Sequence, residues 1–539
     1  MHALNERNRC ILAGCLVSLV PALLVAMTLR DPGLTWDEAI YLGMAVRYTW
    51  LLDPPPSGDW YDIDLDSAAP GFKSKYAECP RPWTTFSRPM VDFFWWLGQN
   101  HPPLGKLAMA ACLLSLTHSA DLLFAFRTAS VVAFALLLFL VYAFGERRLS
   151  QHAGLFAGMS LALMPRVFGH AHLAALDIPI TLMWFATTAA FVKGIRSGPW
   201  AIVTGAVFGL ALLTKINAVL LPFAIIPWGV LYHRKRCIPN ALAMLLIGPI
   251  VFLIGWPALW QAPIGRTWAF LNTAFARTHI PAYYLGTQYT ETNPPVHYPL
   301  VLTLFTVPLA TTIFAAVAII KNIRSIGRRP TLGLILCNIL VILGAASLPS
   351  APKYDGVRLF LPLFPFIVLL AGAGLAWAWQ RLSARRMRLA IGLAIAYFGV
   401  QGASLYWVHP YHLSYYSAAC GGAPGAARLG METTYWGEAL NERVFRFVKD
   451  NLPPASSMEF RHIGDHVIAA HRNPHVLGDL PDNIRTPADR AAHRYRFLLF
   501  RQGMFDAEDW EYFKHPTPLW QVSLQGVPLC GIYEIEARK

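Results

Sequence analysis

Asp37 and Glu38 are adjacent carboxylates that follow the first long apolar run, in Asp31-Pro-Gly-Leu-Thr-Trp-Asp37-Glu38-Ala-Ile-Tyr41. Carboxylates at a membrane exit suit two tasks: taking a proton from a hydroxyl or amine, or holding a polar ligand. The plainer role for Asp37 is as cap of the following helix, where its charge favours the positive end of the dipole. A second acid, Asp177, closes His170-Ala-His172-Leu-Ala-Ala-Leu-Asp177 and precedes Ile-Pro179, at a tight junction between two apolar runs. Between positions 101 and 405 the other acids are Asp121, Glu146, Glu291 and Asp355. An acid at that depth needs a partner or a polar cavity, and His170 and His172 are close in sequence. It also suits a helix start, with Pro179 in the first turn. The third set is cationic: His101, Lys106, Arg127, Lys215, Lys353 and Arg358. Any one of these is explained by a long side chain reaching for the interface. Several on one face point to a phosphate or pyrophosphate, because such an anion needs fixed donors.

The elements that must position these residues are membrane helices. The chain has 539 residues, of which 55% are hydrophobic and only 14% charged. Its mean hydropathy of +0.41 is that of a polytopic membrane protein. Apolar runs near ~20 residues, the length that crosses a bilayer, lie at 10–29, 122–145, 152–171, 177–195, 200–215, 217–232, 240–258, 298–320, 331–348, 358–379 and 389–406. The first is too long for a secretory leader and lacks a small-residue cleavage site, so it reads as a retained helix. A shorter run at 104–117, opened by His101-Pro-Pro, reads as an interfacial helix.

Charge decides the topology. If 104–117 does not cross, the basic N-terminus, Arg147-Arg148, Lys193 and Arg196, Arg234 to Arg236, Lys321 to Arg329 and Arg381 to Arg388 all fall on one side. By the positive-inside rule that side is the cytoplasm. About eleven crossings then leave the C-terminus outside. The fold class expected is a polytopic α-helical membrane protein, with residues 1–406 as the membrane domain. The outer face carries the loop 30–121, the loop 259–297 and a tail, 407–539. The tail turns polar. It shows a helix-like stretch at 437–451 and strand-like stretches at 496–500, 518–522 and 529–535, which read as a small α/β domain.

Other signals are weaker. The net charge of +14 follows from the cytoplasmic turns, and no basic, aromatic-interleaved motif suggests nucleic acid. None of the eight cysteines forms a CxxC pair. Cys420 and Cys530 are both expected outside, where a disulfide between them is open. Asp62-Ile-Asp64-Leu-Asp66 resembles the start of a calcium loop but lacks its glycine and bidentate glutamate, so a solvated acidic loop is preferred. The aromatic cluster Tyr411 to Tyr416 reads as interface packing.

Taken together and in order, Trp36-Asp37-Glu38, His101-Pro-Pro-Leu-Gly-Lys106, Arg127, Leu176-Asp177-Ile-Pro179 and Gly209 to Lys215 resemble the polytopic glycosyltransferases of the GT-C fold. The likeness is to the protein O-mannosyltransferase and aminoarabinose transferase superfamily, in its bacterial branch, and covers about residues 10–405. It implies a hexosyl or pentosyl transferase of the bacterial cytoplasmic membrane. The implied donor is a sugar on a polyprenyl phosphate, and the acceptor is a glycan, lipid or protein. It implies Asp37 as catalytic base assisted by Glu38, Asp177 beside the active cavity, and Arg127 on the donor phosphate. The aminoarabinose branch carries a Glu before Lys-Pro-Pro where Asn100-His101 stands here, which leaves a divalent metal open. The long luminal domain of eukaryotic O-mannosyltransferases is missing, which leaves the acceptor open. A transporter or flippase for lipid-linked sugars is the alternative; it would be expected to show inverted repeats, and none is evident. A scaffold for envelope assembly is the third reading.

Overall fold

The computed structural model of the protein describes residues 2–49, 91–96, 101–117, 120–275, 279–473, 476–481, 484–485, 493–515 and 517–535. The acidic triplet Asp62, Asp64 and Asp66 lies outside the described residues. The chain is a bundle of apolar helices joined to a small C-terminal domain. In the membrane part, helix α1 spans His2–Met27, α2 Trp36–Thr49, α3 Leu104–Leu116, α4 Leu122–Arg148, α5 Gln151–Ala162, α6 Pro165–Ala171, α7 Asp177–Gly194 and α8 Gly198–Leu212. There follow α9 Leu221–His233, α10 Ile238–Ile254, α11 Pro263–Phe275, α12 Tyr298–Thr306, α13 Leu309–Asn322, α14 Pro330–Ser347, α15 Phe364–Ser383 and α16 Met387–Val408.

Among the described residues, seven helical stretches are long and apolar enough to cross a membrane. One of these, Ile216–Ile254, contains two of the expected spans, separated by a turn at Arg234 where φ is +51°. Helices also occupy the other expected spans. Those over 151–171 and 298–322 are broken ahead of Pro165 and at Pro308, since a proline offers no N–H to the preceding turn. Run 104–117 forms the short helix α3. In an 18-residue window of Arg358–Ser383, 89% of the residues are buried, against 17% in one of Met387–Val408. Thus α15 is the central post, and the groups at its start are held by protein on all sides. Leu12, Leu23, Leu245 and Ile395 on outer helices are exposed, as lipid-facing side chains must be. The chain is a multi-pass membrane protein.

The C-terminal region carries α17 Gly422–Arg428, α18 Glu442–Asn451, α19 Asp465–Arg472 and α20 Ala507–Lys514. The strands β1 Ala282–Tyr284 and β2 Thr287–Tyr289 form a hairpin in the second large loop. In the C-terminal domain β3 Met458–Arg461, β4 Tyr495–Leu499, β5 Trp520–Leu524 and β6 Val527–Glu534 form a four-stranded sheet of order β3-β4-β6-β5. The β3–β4 pair is parallel, which requires a crossover, and α19 lies in it. Strands β5 and β6 are antiparallel and joined through Gln525 and Gly526, both at positive φ, the conformation a tight hairpin needs. Strand β3 escapes the sequence reading because Met-Glu-Phe-Arg is short and carries charge. Cys420 and Cys530 are free thiols, so the disulfide left open above does not form; Cys530 lies on β6 and is buried.

The domain is not hung on a linker. One apolar cluster runs from Leu34 and Tyr41 through Met109 and Phe126 to Val444, Phe497 and Ile532. The loop before α2 and the segment before α18 lie backbone to backbone: Gly33 N–H donates to the Glu438 carbonyl at 2.9 Å, and Trp36 N–H to the Trp436 carbonyl at 3.1 Å. A Cβ at Gly33 would run into the Leu440 carbonyl, so this approach needs glycine. Asn441 caps α18 and also donates to the Asp31 carbonyl at 3.2 Å.

Glu432 adds a titratable element to this docking. Its carboxylate accepts from Gly503 N–H at 2.9 Å. Burial pushes its pKa up from the ordinary carboxylate range to about 7, against the lowering effects of Arg501 and the Gly503 N–H. The folded state therefore favours the protonated acid. Its contribution is complete below the unfolded value and is lost as pH rises through about 7. Glu432→Gln is expected to flatten the stability profile between about pH 4.5 and 7 and to exceed the parent protein above that range, by up to ~3 kcal/mol. Thermal unfolding of both proteins in detergent across this window measures the difference; parallel curves would contradict it.

Candidate active site

The two adjacent carboxylates have different surroundings. Glu38 is wholly buried and sits three residues into α2, where it accepts from Thr35 N–H and the Thr35 hydroxyl, both at 3.0 Å. Thr35, not Asp37, therefore occupies the cap position, and the Glu38 side chain reaches back to satisfy its N–H. Glu38 also accepts from Ala174 N–H at 2.8 Å and from Arg127 Nε and Nη2, each at 2.8 Å. Arg127 is itself wholly buried. Its remaining donors reach the carbonyls of Leu29 at 2.6 Å, Pro32 at 2.9 Å and Gly33 at 2.9 Å. A guanidinium has five N–H bonds, and all of them are occupied here. The expected phosphate contact therefore has no donor left, and the expected assistant base has no free lone pair directed at a ligand. The pair is a clamp on the start of the first outer loop.

Asp37 is the open member. Its side chain is 21% exposed and its Oδ2 takes a 2.7 Å bond from Arg358 Nη1. Arg358 also bonds Asp355 through Nη2 at 2.6 Å. The other Asp355 oxygen accepts from Arg501 Nη2 at 2.7 Å. The result is an alternating chain Asp37–Arg358–Asp355–Arg501 that joins α2, the start of the central post and the C-terminal domain. The Arg358 guanidinium carbon stands 4.5 Å from the Trp436 ring centre, a cation–π contact.

Asp177 begins α7 and pairs with Lys215 at 2.7 Å. His170 Nδ1 is 3.8 Å from the other Asp177 oxygen, and the His170 ring packs on Trp436 at 5.6 Å. Trp436 is thus the shared wall between the Asp37 and Asp177 groups. Around it lie buried polar atoms with no hydrogen-bond partner: Arg358 Nε, Trp436 Nε1 and both His170 nitrogens. Buried polar groups in proteins are normally paired, so a cluster of orphans at one place marks where a polar ligand belongs. Arg166 holds this wall from behind, donating to the Tyr415 carbonyl at 3.0 Å and the Tyr435 hydroxyl at 3.1 Å.

The other expected residues take separate places. His101 lies edge-on to Tyr41, one helical turn beyond Asp37 on α2, and its carbonyl accepts from Lys106 Nζ at 2.7 Å. His172 donates from Nδ1 to the Phe168 carbonyl at 2.8 Å, and its Nε2 is 2.8 Å from the Thr28 hydroxyl, so both nitrogens are occupied. Lys353 caps the end of α14 through the Leu348 and Ala351 carbonyls at 2.6 and 3.2 Å. Among the described residues no three His, Cys, Asp or Glu side chains are grouped to hold a metal. Sequence reasoning did not select Asp355, Trp436 or Arg501. Asp355 had a signal, being a rare acid three residues before Arg358; Trp436 stands in a Trp436-Gly437-Glu438 stretch that looks like a feature of some bacterial relatives but points to no role, and Arg501 had no signal.

The clamp can be tested by a double-mutant cycle. Glu38→Gln or Arg127→Met alone is expected to destabilise by about 3–5 kcal/mol, since each strands a buried charge, and the pair together by clearly less than the sum. Thermal unfolding of the purified variants reads this out. A Glu38→Gln protein of normal stability that had lost turnover would return Glu38 to the chemistry.

With the geometry in place, the protein can be set against known ones. Residues 100–260 match the profile of the dolichyl-phosphate-mannose-protein mannosyltransferase family. None of the curated proteins compared matches the chain. Among solved structures, apo ArnT from Cupriavidus metallidurans is similar with a TM-score of 0.51 and 16% identity, over 99% of this chain and 98% of that one. The same protein bound to undecaprenyl phosphate is similar with a TM-score of 0.50 and 14% identity, over 96% of this chain and 97% of that one. The chain is accordingly a polytopic membrane protein of the GT-C glycosyltransferase fold, resembling the protein O-mannosyltransferase and aminoarabinose transferase superfamily.

Proposed function

We propose that this protein transfers a sugar from a polyprenyl-phosphate carrier to an acceptor at the outer face of a bacterial cytoplasmic membrane. The observation that carries the reading is Asp37: the exposed member of the carboxylate pair, held at one oxygen by Arg358 beside a cluster of unpartnered donors. The known solved structure of the same fold with undecaprenyl phosphate bound supports the choice of carrier.

In this mechanism Asp37 Oδ1 takes the proton of an acceptor hydroxyl or amine. The acceptor attacks the anomeric carbon as the bond to the phosphate oxygen breaks, and the polyprenyl phosphate leaves with the electron pair. A single displacement inverts the anomeric centre. Arg358 Nε and Trp436 Nε1 supply hydrogen bonds to the phosphate as its charge grows, in a site shielded from water where such bonds are strong. The ion pair with Arg358 orients Asp37. Asp177 and Lys215 hold His170 and the wall beneath the sugar. The loop 259–297 and the C-terminal domain bound the acceptor side, with the N-terminus in the cytoplasm.

The test uses purified protein and a labelled polyprenyl-phosphate sugar, with release of free polyprenyl phosphate as the readout. Asp37→Asn is expected to lower turnover by about 10²–10⁴-fold, the range for a general base, with thermal unfolding unchanged. Normal turnover in that variant would remove Asp37 from the role.

A further inference from the structure

The end of the bundle opposite to Asp37 carries the arginine-rich turns, and there the helices leave a cleft of about 430 Å³. Arg148 at the end of α4, Lys321 at the end of α13, and Arg328 and Arg329 before α14 line it. No carboxylate lines it, and among the described residues none of these four cations has an acid within ion-pair distance. The floor is apolar, formed by Ala318, Leu332, Ala373 and Trp377. Lys321 Nζ stands 4.6 Å over the Trp377 ring. The first residues of the 18-residue helix α14, Pro330 and Thr331, also face the cleft, so the positive end of that helix dipole adds to the field.

Basic residues that only fix membrane topology need no concave site and no apolar floor. Four unneutralised cations around a cleft repel one another, and a bound anion relieves that repulsion. The combination of cationic rim, helix N-terminus and apolar floor with a tryptophan is amphipathic in the same sense as a phospholipid: phosphate at the rim, glycerol and upper acyl chain along the floor. We propose that this cleft binds the phosphate-bearing headgroup of an anionic lipid from the leaflet at that face. The site is distinct from the carboxylate end and independent of the reaction assigned there.

Native mass spectrometry of the detergent-purified full chain tests this with three probes: phosphatidylglycerol, phosphatidylcholine and inorganic phosphate. Phosphatidylglycerol is expected to bind and phosphatidylcholine to bind at least about tenfold more weakly, with millimolar inorganic phosphate failing to displace the lipid. The variant Arg328→Gln/Arg329→Gln should lose about thirtyfold in affinity for phosphatidylglycerol, as expected for two cations near a membrane surface. Both residues are exposed, so folding is retained. Arg385→Gln/Arg386→Gln removes the same charge from exposed positions on a neighbouring turn outside the cleft, and should change binding by less than about twofold. Equal binding of the two lipids, retained affinity in the first variant, or an equal loss in the second would overturn the proposal. Displacement by inorganic phosphate would overturn the lipid as source.

Discussion

The candidate site depends on one buried guanidinium. Arg127 reaches from helix α4 to the Glu38 carboxylate and to three backbone carbonyls in the turn after α1. Those carbonyls lie in the turn that follows α1, where no regular helix or strand supplies a partner. Buried without a donor they would be costly, and the buried Glu38 charge would be costlier still. One planar group with five donors satisfies all of them and fixes where α2 begins. Asp37 is then aimed by the helix that Glu38 and Thr35 start. The clamp therefore sets the position of the Asp37 carboxylate while all of its own donors and acceptors stay occupied by protein.

A second constraint comes from the C-terminal domain. Charges in a low-dielectric setting must be paired, and the pairs here cross from one part of the chain to another. Asp37 is matched by Arg358, Arg358 by Asp355, and Asp355 by Arg501 of the terminal domain. The backbone pairing of Gly33 and Trp36 with Glu438 and Trp436 brings the domain to the same place. Trp436 then forms a wall common to Arg358 and His170. The domain thus completes the site instead of merely shielding it.

The two ends of the bundle are electrostatically unlike. At one end carboxylates and cations alternate in buried chains. At the other, cations collect around the cleft lined by Arg148, Lys321, Arg328 and Arg329, and no carboxylate lines that cleft. Both arrangements suit phosphate ligands, by different means. In the first, fixed partners orient a few unpaired donors. In the second, a diffuse positive field meets an apolar floor.

The sequence by itself determined the class of protein and the position of nearly every helix. Those properties follow from hydropathy, from span length and from the asymmetry of basic turns, all of which are local in the chain. It also marked Asp37, Asp177, Lys215 and Arg358, because a charge among apolar helices is rare enough to notice. Only the tertiary structure decided what each charged group does. Asp37 and Glu38 are neighbours in sequence and equivalent in chemistry, yet α2 turns one toward a half-open site and the other into a buried clamp. Arg127 reads as a ligand contact until its five donors are seen to be occupied. Arg501 carries no local signal and Trp436 none that points to its role, since their part in the site comes from a domain docked across some four hundred residues of chain. Hydrogen-bond saturation and long-range docking are properties of atoms in space, and no pattern of spacing along the sequence encodes them directly.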